Sequence, residues 1–171
     1  GALHSWSWLF FFFLYGLIGS IYASQVYGKD NPRVALLNIG AEKEKGNLVV
    51  KSAYEMMNGT QRFNFIGNLE ANEIFDGKAD VLVCDGFVGN IILKEAEAFY
   101  KVLQKRGVRD EFFSRFNFEN IGGTPLLGVN GNIIIGHGIS NDTAIKNMII
   151  HTKQVIEANL SEKIKEAFQW N

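Results

Sequence analysis

Hydrophobic positions along this chain switch between two rhythms. Short apolar runs take turns with stretches whose apolar residues recur every three or four positions. Residues 34–39 (VALLNI) form a compact apolar run with β-branched ends, the pattern of a buried strand. Residues 40–47 are polar and rich in glycine, hence a loop. Asn47 is placed to cap a helix over residues 48–57, which Gly59 closes. A second strand is expected at 63–66, a short helix at 70–75, and a third strand at 80–84 (DVLVC). The stretch DGFVGN then turns the chain into a helix of about residues 90–104, on which Ile92, Leu93, Ala96, Phe99 and Leu103 recur at helical spacing. Residues 105–119 mix basic and aromatic side chains, as an interfacial helical hairpin or an ordinary exposed helix would. Two apolar runs flank Asn130-Gly131, a strong hairpin-turn signal. Ser140, Asn141 and Asp142 offer caps for a long helix carrying Ile145, Met148, Ile149, Val155 and Ile156, and Ser161 for a last helix ending near Phe168.

Strand, loop, helix repeated in this way predicts a parallel sheet with helical crossovers. Ligands of such sheets bind beyond the carboxyl ends of the strands. Both glycine-rich loops, 40–47 and 86–90, fall at strand carboxyl ends and are expected on one sheet edge. No internal repeat, low-complexity linker or second-domain boundary is visible.

Composition changes the picture at the amino end. No Lys, Arg, Asp or Glu precedes Lys29, and residues 6–23 (WSWLFFFFLYGLIGSIYA) are nearly all apolar. A bilayer span takes ~20 such residues, so a membrane span, a buried core helix and unrelated fused sequence are all open. No basic residue precedes the apolar core, which argues against a signal peptide. Small residues at Gly16, Gly19, Ser20 and Ala23 suit close helix packing. Overall, 171 residues at 47% hydrophobic content are enough for one substantial core. A net charge of −1 gives no sign of a nucleic-acid surface. Cys84 is the only cysteine and sits in an apolar run, as a small buried hydrophobe would.

Three places could carry chemistry. In CDGFVGN, a glycine-rich turn entering a helix exposes backbone N–H groups able to hold an anion. Asn90 there reads equally as a helix cap or as a donor to ligand. In LNIGAEKEKGN, Lys43 and Lys45 stand among Glu42 and Glu44. The loop is either a solvated turn or the source of a lysine aimed at phosphate or a developing oxyanion. His137 lies between two glycines at the end of an apolar run, where a ligand could approach closely. His4 and His151 show no partner pattern. Metal-ligand spacings and a GxSxG elbow are absent, and no metal or cofactor is expected.

Four segments, NPRVALLNIGAEKEKGN, ADVLVCDGFVGNIILK, GGTPLLGVNG and HGISNDTAIKN, together resemble the acyl-carrier-protein–phosphate acyltransferase family, PlsX, in order and separation. The resemblance covers about residues 15–171. It implies a Rossmann-like three-layer α/β/α fold, akin to isopropylmalate dehydrogenases and phosphotransacetylases, lacking its amino-terminal half. Residues 1–14 fall outside the pattern, and the apolar stretch after them becomes the family's buried helix. The implied reaction moves a fatty acyl group from acyl carrier protein to inorganic phosphate, giving acyl phosphate for phospholipid synthesis. By position, Lys45 and Asn90 resemble the family's catalytic pair, with Gly86, Val88, Gly89 and His137 binding phosphate or substrate. The resemblance also implies a cytoplasmic homodimer, peripheral membrane contact through residues 105–119, and a glycerol-3-phosphate acyltransferase as partner. The alternative is an inactive remnant that serves as a dimer-forming or membrane-tethered module. A nicotinamide-dependent dehydrogenase of the related fold is poorer, because no GxGxxG fingerprint appears.

Overall fold

The computed structural model describes residues 2–136 and 138–169, with side chains from Phe10 onward, Phe118 excepted. The chain divides into two compact units, Gly1–Asp85 and Gly86–Asn171. No linker marks the division. It falls at a strand-to-helix junction, which is why composition does not reveal it.

The first unit begins with helix α1 (Ala2–Tyr27), which runs unbroken through residue 14. Strand β1 (Arg33–Asn38), helix α2 (Leu48–Met57), β2 (Asn64–Glu70) and β3 (Val81–Val83) follow. The three strands form a parallel sheet in the order β2-β1-β3. This is the expected α/β class. Central β1 is the most buried, with Val34, Ala35 and Leu36 fully enclosed. Both α1 and α2 pack against the sheet and against each other.

α1 is long and apolar enough to cross a membrane over Phe10–Tyr27 by length and composition. Here one face of it is core: Phe12, Phe13, Leu17, Ser20 and Ala23 are buried. Two glycines make that contact close. A Cβ on Gly19 would lie 2.6 Å from Val81 Cγ1, and one on Gly16 would lie 2.9 Å from Phe63 Cζ. The Phe13 and Phe63 rings sit 5.2 Å apart beside them. Each such buried apolar side chain contributes roughly 1.5–3 kcal/mol.

β2 is longer than the sequence suggests. A register shift pairs Val34 with Phe65 but Ala35 with Gly67, leaving Ile66 as the extra residue of a bulge. The bulge resets which side chains face inward, so Leu69 is buried and the strand continues to Glu70. The helix expected at 70–75 shrinks to one 3₁₀ turn, Ala71–Glu73, with Glu70 and Glu73 capping each other reciprocally. At the amino ends of the strands, Asp80 ties β3 to β1. Its carboxylate accepts from Arg33 N and Nε at 2.9 Å and from an Arg33 terminal nitrogen at 3.2 Å. Lys29 adds an ion pair at 3.5 Å. The Arg33 hydrogen bonds hold the Asp80 carboxyl well below the usual carboxylate range.

The second unit opens with helix α3 (Gly86–Lys105). It starts four residues before the expected Asn90. Two glycines in its first turn cost about 1 kcal/mol each relative to alanine, little against a helix of this length. Asn90 is therefore not a helix cap. After α3 come two single-turn helices, α4 (Glu111–Ser114) and α5 (Phe118–Ile121), rather than one helix or a helical hairpin. Asp110 caps α4 by accepting from Phe112 N at 2.8 Å. Strands β4 (Gly123–Leu126) and β5 (Ile133–Gly136) form the expected antiparallel hairpin. Of the three candidate caps, Asn141 serves helix α6 (Asp142–Glu157), accepting from Ala144 N at 2.9 Å. Helix α7 (Leu160–Ala167) follows Asn159 rather than Ser161. Asn159 takes a left-handed conformation (φ 51°), which asparagine tolerates, and buried Leu160 enters the α6–α7 core with Val155 and Ile164.

Candidate functional site

β1 and β3 are adjacent and parallel, pairing Val34 with Val81 and Leu36 with Val83. The chain therefore leaves both strands at the same sheet edge. From β1 it enters the lysine loop. From β3 it passes through Cys84 and Asp85 toward α3.

The lysine loop has a defined conformation. Lys45 N donates to Glu42 O at 3.1 Å, closing a turn. The buried Asn38 side chain donates from Nδ2 to Lys45 O at 3.0 Å and accepts from Ile39 N at 2.8 Å. From β2, Asn68 Nδ2 donates to Glu42 O at 2.9 Å. Gly46 has φ +89°, and a Cβ there would lie 2.5 Å from Asn38 Oδ1, so only glycine fits. The Lys45 stem lies over Gly40, where a Cβ would meet Lys45 Cγ at 2.8 Å. Asn47 closes the loop by accepting from Val50 N at 3.0 Å, capping α2 as expected.

The two lysines differ. Lys43 lies 4.0 Å from Glu44 Oε1. Lys45 is exposed and, among the described residues, makes no ion pair. Both ammonium groups of the loop are exposed to solvent.

In the second unit, Gly86, Val88, Gly89 and Asn90 occupy the first turn and a half of α3. Backbone N–H groups at a helix start point toward any anion placed there, with the helix dipole behind them. Asn90 is exposed. Just upstream, burial pushes the Cys84 thiol pKa up, with Asp85 adding to the effect. This thiol is not poised as a nucleophile. His137 lies outside the described residues.

Sequence reasoning passed over Asn38 and Asn68. A signal was present: each is a carboxamide near the carboxyl end of a strand whose centre is apolar, VALLN and FIGN.

Residues 12–163 match the family described as "Fatty acid synthesis protein". The chain belongs to that family. Among curated relatives, it is 44% identical to a phosphate acyltransferase of Heliobacterium modesticaldum, over 87% of this chain and 50% of the relative. It is 40% identical to one of Wolinella succinogenes, over 90% and 52%, and 39% identical to one of Halothermothrix orenii, over 89% and 52%. The chain spans about half the length of the curated relatives it matches.

Proposed function

We propose that this chain carries the reaction site of a phosphate acyltransferase, which transfers a fatty acyl group from acyl carrier protein to inorganic phosphate. Family membership and the naming of its relatives support the reaction class. The observation that carries the reading lies within the first unit: a turn closed by Lys45 N–H on Glu42 O and tied to β1 by Asn38, with the Lys45 side chain exposed.

In this reading a phosphate oxygen attacks the thioester carbonyl carbon. The new C–O bond forms, a tetrahedral oxyanion develops, and the C–S bond breaks to release the carrier's thiolate, which then takes up a proton. Lys45 holds the phosphate and offsets the growing charge. Asn90 donates to the oxyanion from its side-chain amide, and Gly86, Val88 and Gly89 form the first turn of α3 beside it. An apolar cavity of about 590 Å³ in the second unit, lined by Leu93, Ala96, Phe116, Ile121 and Ile135, suits an acyl chain.

Acyl carrier protein and phosphate are the substrates of this proposal. The acyl phosphate passes to a glycerol-3-phosphate acyltransferase. A cytoplasmic homodimer with peripheral membrane contact fits the same reading. The contact is supported by the Phe112, Phe113 and Phe116 ring cluster with Arg115 over Phe112.

The test is phosphate-dependent acyl exchange by the purified chain beside Lys45→Ala and Asn90→Ala. Losing one positioned donor costs about 10²–10³ in rate, and a drop of that size is expected for each variant. Equal rates in all three proteins dismiss the assigned roles. No exchange by any of them favours an inactive module instead.

A further inference from the structure

The Lys45 carbonyl is held by a side chain of β1, and its N–H by a turn carbonyl that a β2 side chain also holds. The Asn38 carboxamide on β1 grips the Lys45 carbonyl from below. On β2, Asn68 bonds the Glu42 carbonyl, the same oxygen that receives the Lys45 N–H. A carbonyl oxygen has two lone pairs and can accept both donors. Leu36 pairs with Asn68 and Asn38 with Glu70, so the two asparagines lie on neighbouring strands, two register positions apart.

The orientations are fixed by partners of unambiguous type. Asn38 must present its nitrogen to a carbonyl and its oxygen to an N–H. Asn68 must present its nitrogen to Glu42 O, which leaves its Oδ1 buried with no protein donor among the described residues. Such an acceptor is costly. An apolar residue in its place would avoid that cost, so Asn68 is poorly explained as a stabiliser of β2.

We infer that Asn38 and Asn68 are positioning residues: a pair of carboxamides that clamps the Glu42–Lys45 turn and thereby fixes where the Lys45 ammonium stands. The inference rests on the proposed role of Lys45 toward phosphate. It accounts for Gly46 as well, since any side chain there would displace the Asn38 carboxamide.

The experiment uses the full chain and two readouts by NMR: hydrogen exchange of the Lys45 backbone amide, and the response of the Lys45 side-chain resonances to added inorganic phosphate. Asn68→Ala and the volume-conserving Asn68→Leu are compared with the unsubstituted chain, with Asn38→Ala as a third variant where it folds. Losing one hydrogen bond should speed Lys45 amide exchange by roughly fivefold to tenfold, with the β1–β3 ladder amides and the melting temperature little changed. Phosphate affinity at Lys45 should fall by a similar factor. Lys45 exchange and phosphate response that survive both Asn68 substitutions overturn the clamp. Absence of any phosphate response at Lys45 in the unsubstituted chain overturns the parent reading, and this inference with it. Faster exchange together with unchanged phosphate affinity shows a merely structural contact and also overturns the positioning role.

Discussion

At the scale of single residues, the lysine loop is specified by contacts that tolerate little change. Gly46 combines a left-handed backbone with van der Waals contact to Asn38. Gly46→Ala should lower stability by about 1–3 kcal/mol through strain alone, read as a drop in melting temperature, and should lower phosphate-dependent exchange as well. A variant that melts and turns over like the parent contradicts the loop geometry. Asn47→Ala removes the α2 cap and should cost about 1 kcal/mol, with a smaller effect on exchange, because the cap touches Val50 rather than Lys45. Lys45 could be seen in the sequence only through resemblance. Local reasoning leaves it level with Lys43, and a 4.0 Å contact between exposed Lys43 and Glu44 does not separate them. The two asparagines were missed because a polar residue in a short strand reads as strand-end noise until its partners are known.

At the scale of elements, most of the first unit was legible, because its signals are local. The β1 run, the Asn47 cap and the α2 span need only periodicity and capping chemistry, and they agree with the structure within a residue. What was not legible depends on pairing between strands. The bulge at Ile66 lengthens β2 at the expense of the expected helix, and nothing in β2 alone announces it. The start of α3 was misplaced because glycines read as loop even where a helix can absorb their cost. Close packing of α1 makes its own prediction. Gly19→Leu should prevent the helix from settling on Val81 and expose the apolar face that carries Leu17 and Ala23. Increased binding of a hydrophobic dye and loss of cooperative melting check it. The Arg33–Asp80 tie between β1 and β3 predicts a pH dependence. The folded carboxyl titrates below its unfolded value of about 3.9. Its stabilisation is therefore complete above that value and is lost as pH falls toward the folded pKa. Melting temperatures of the parent and Asp80→Asn should differ at neutral pH and converge in acid. A gap that persists unchanged in acid contradicts the assigned pairing.

At the scale of the whole molecule, two compact units divide between them the residues that resemblance pairs. Lys45 belongs to the first unit and Asn90 to the second. What pairs them in the proposal is the family resemblance, which gives both a part in one reaction. The most direct measurement is therefore a double-mutant cycle on phosphate-dependent acyl exchange, with Lys45→Ala, Asn90→Ala and the double variant. Groups acting on one transition state are strongly non-additive. The expected result is that the double variant is little slower than the slower single variant. A double variant slowed by the full product of the two single effects would place the ammonium and the carboxamide in independent roles, and would contradict a shared oxyanion site.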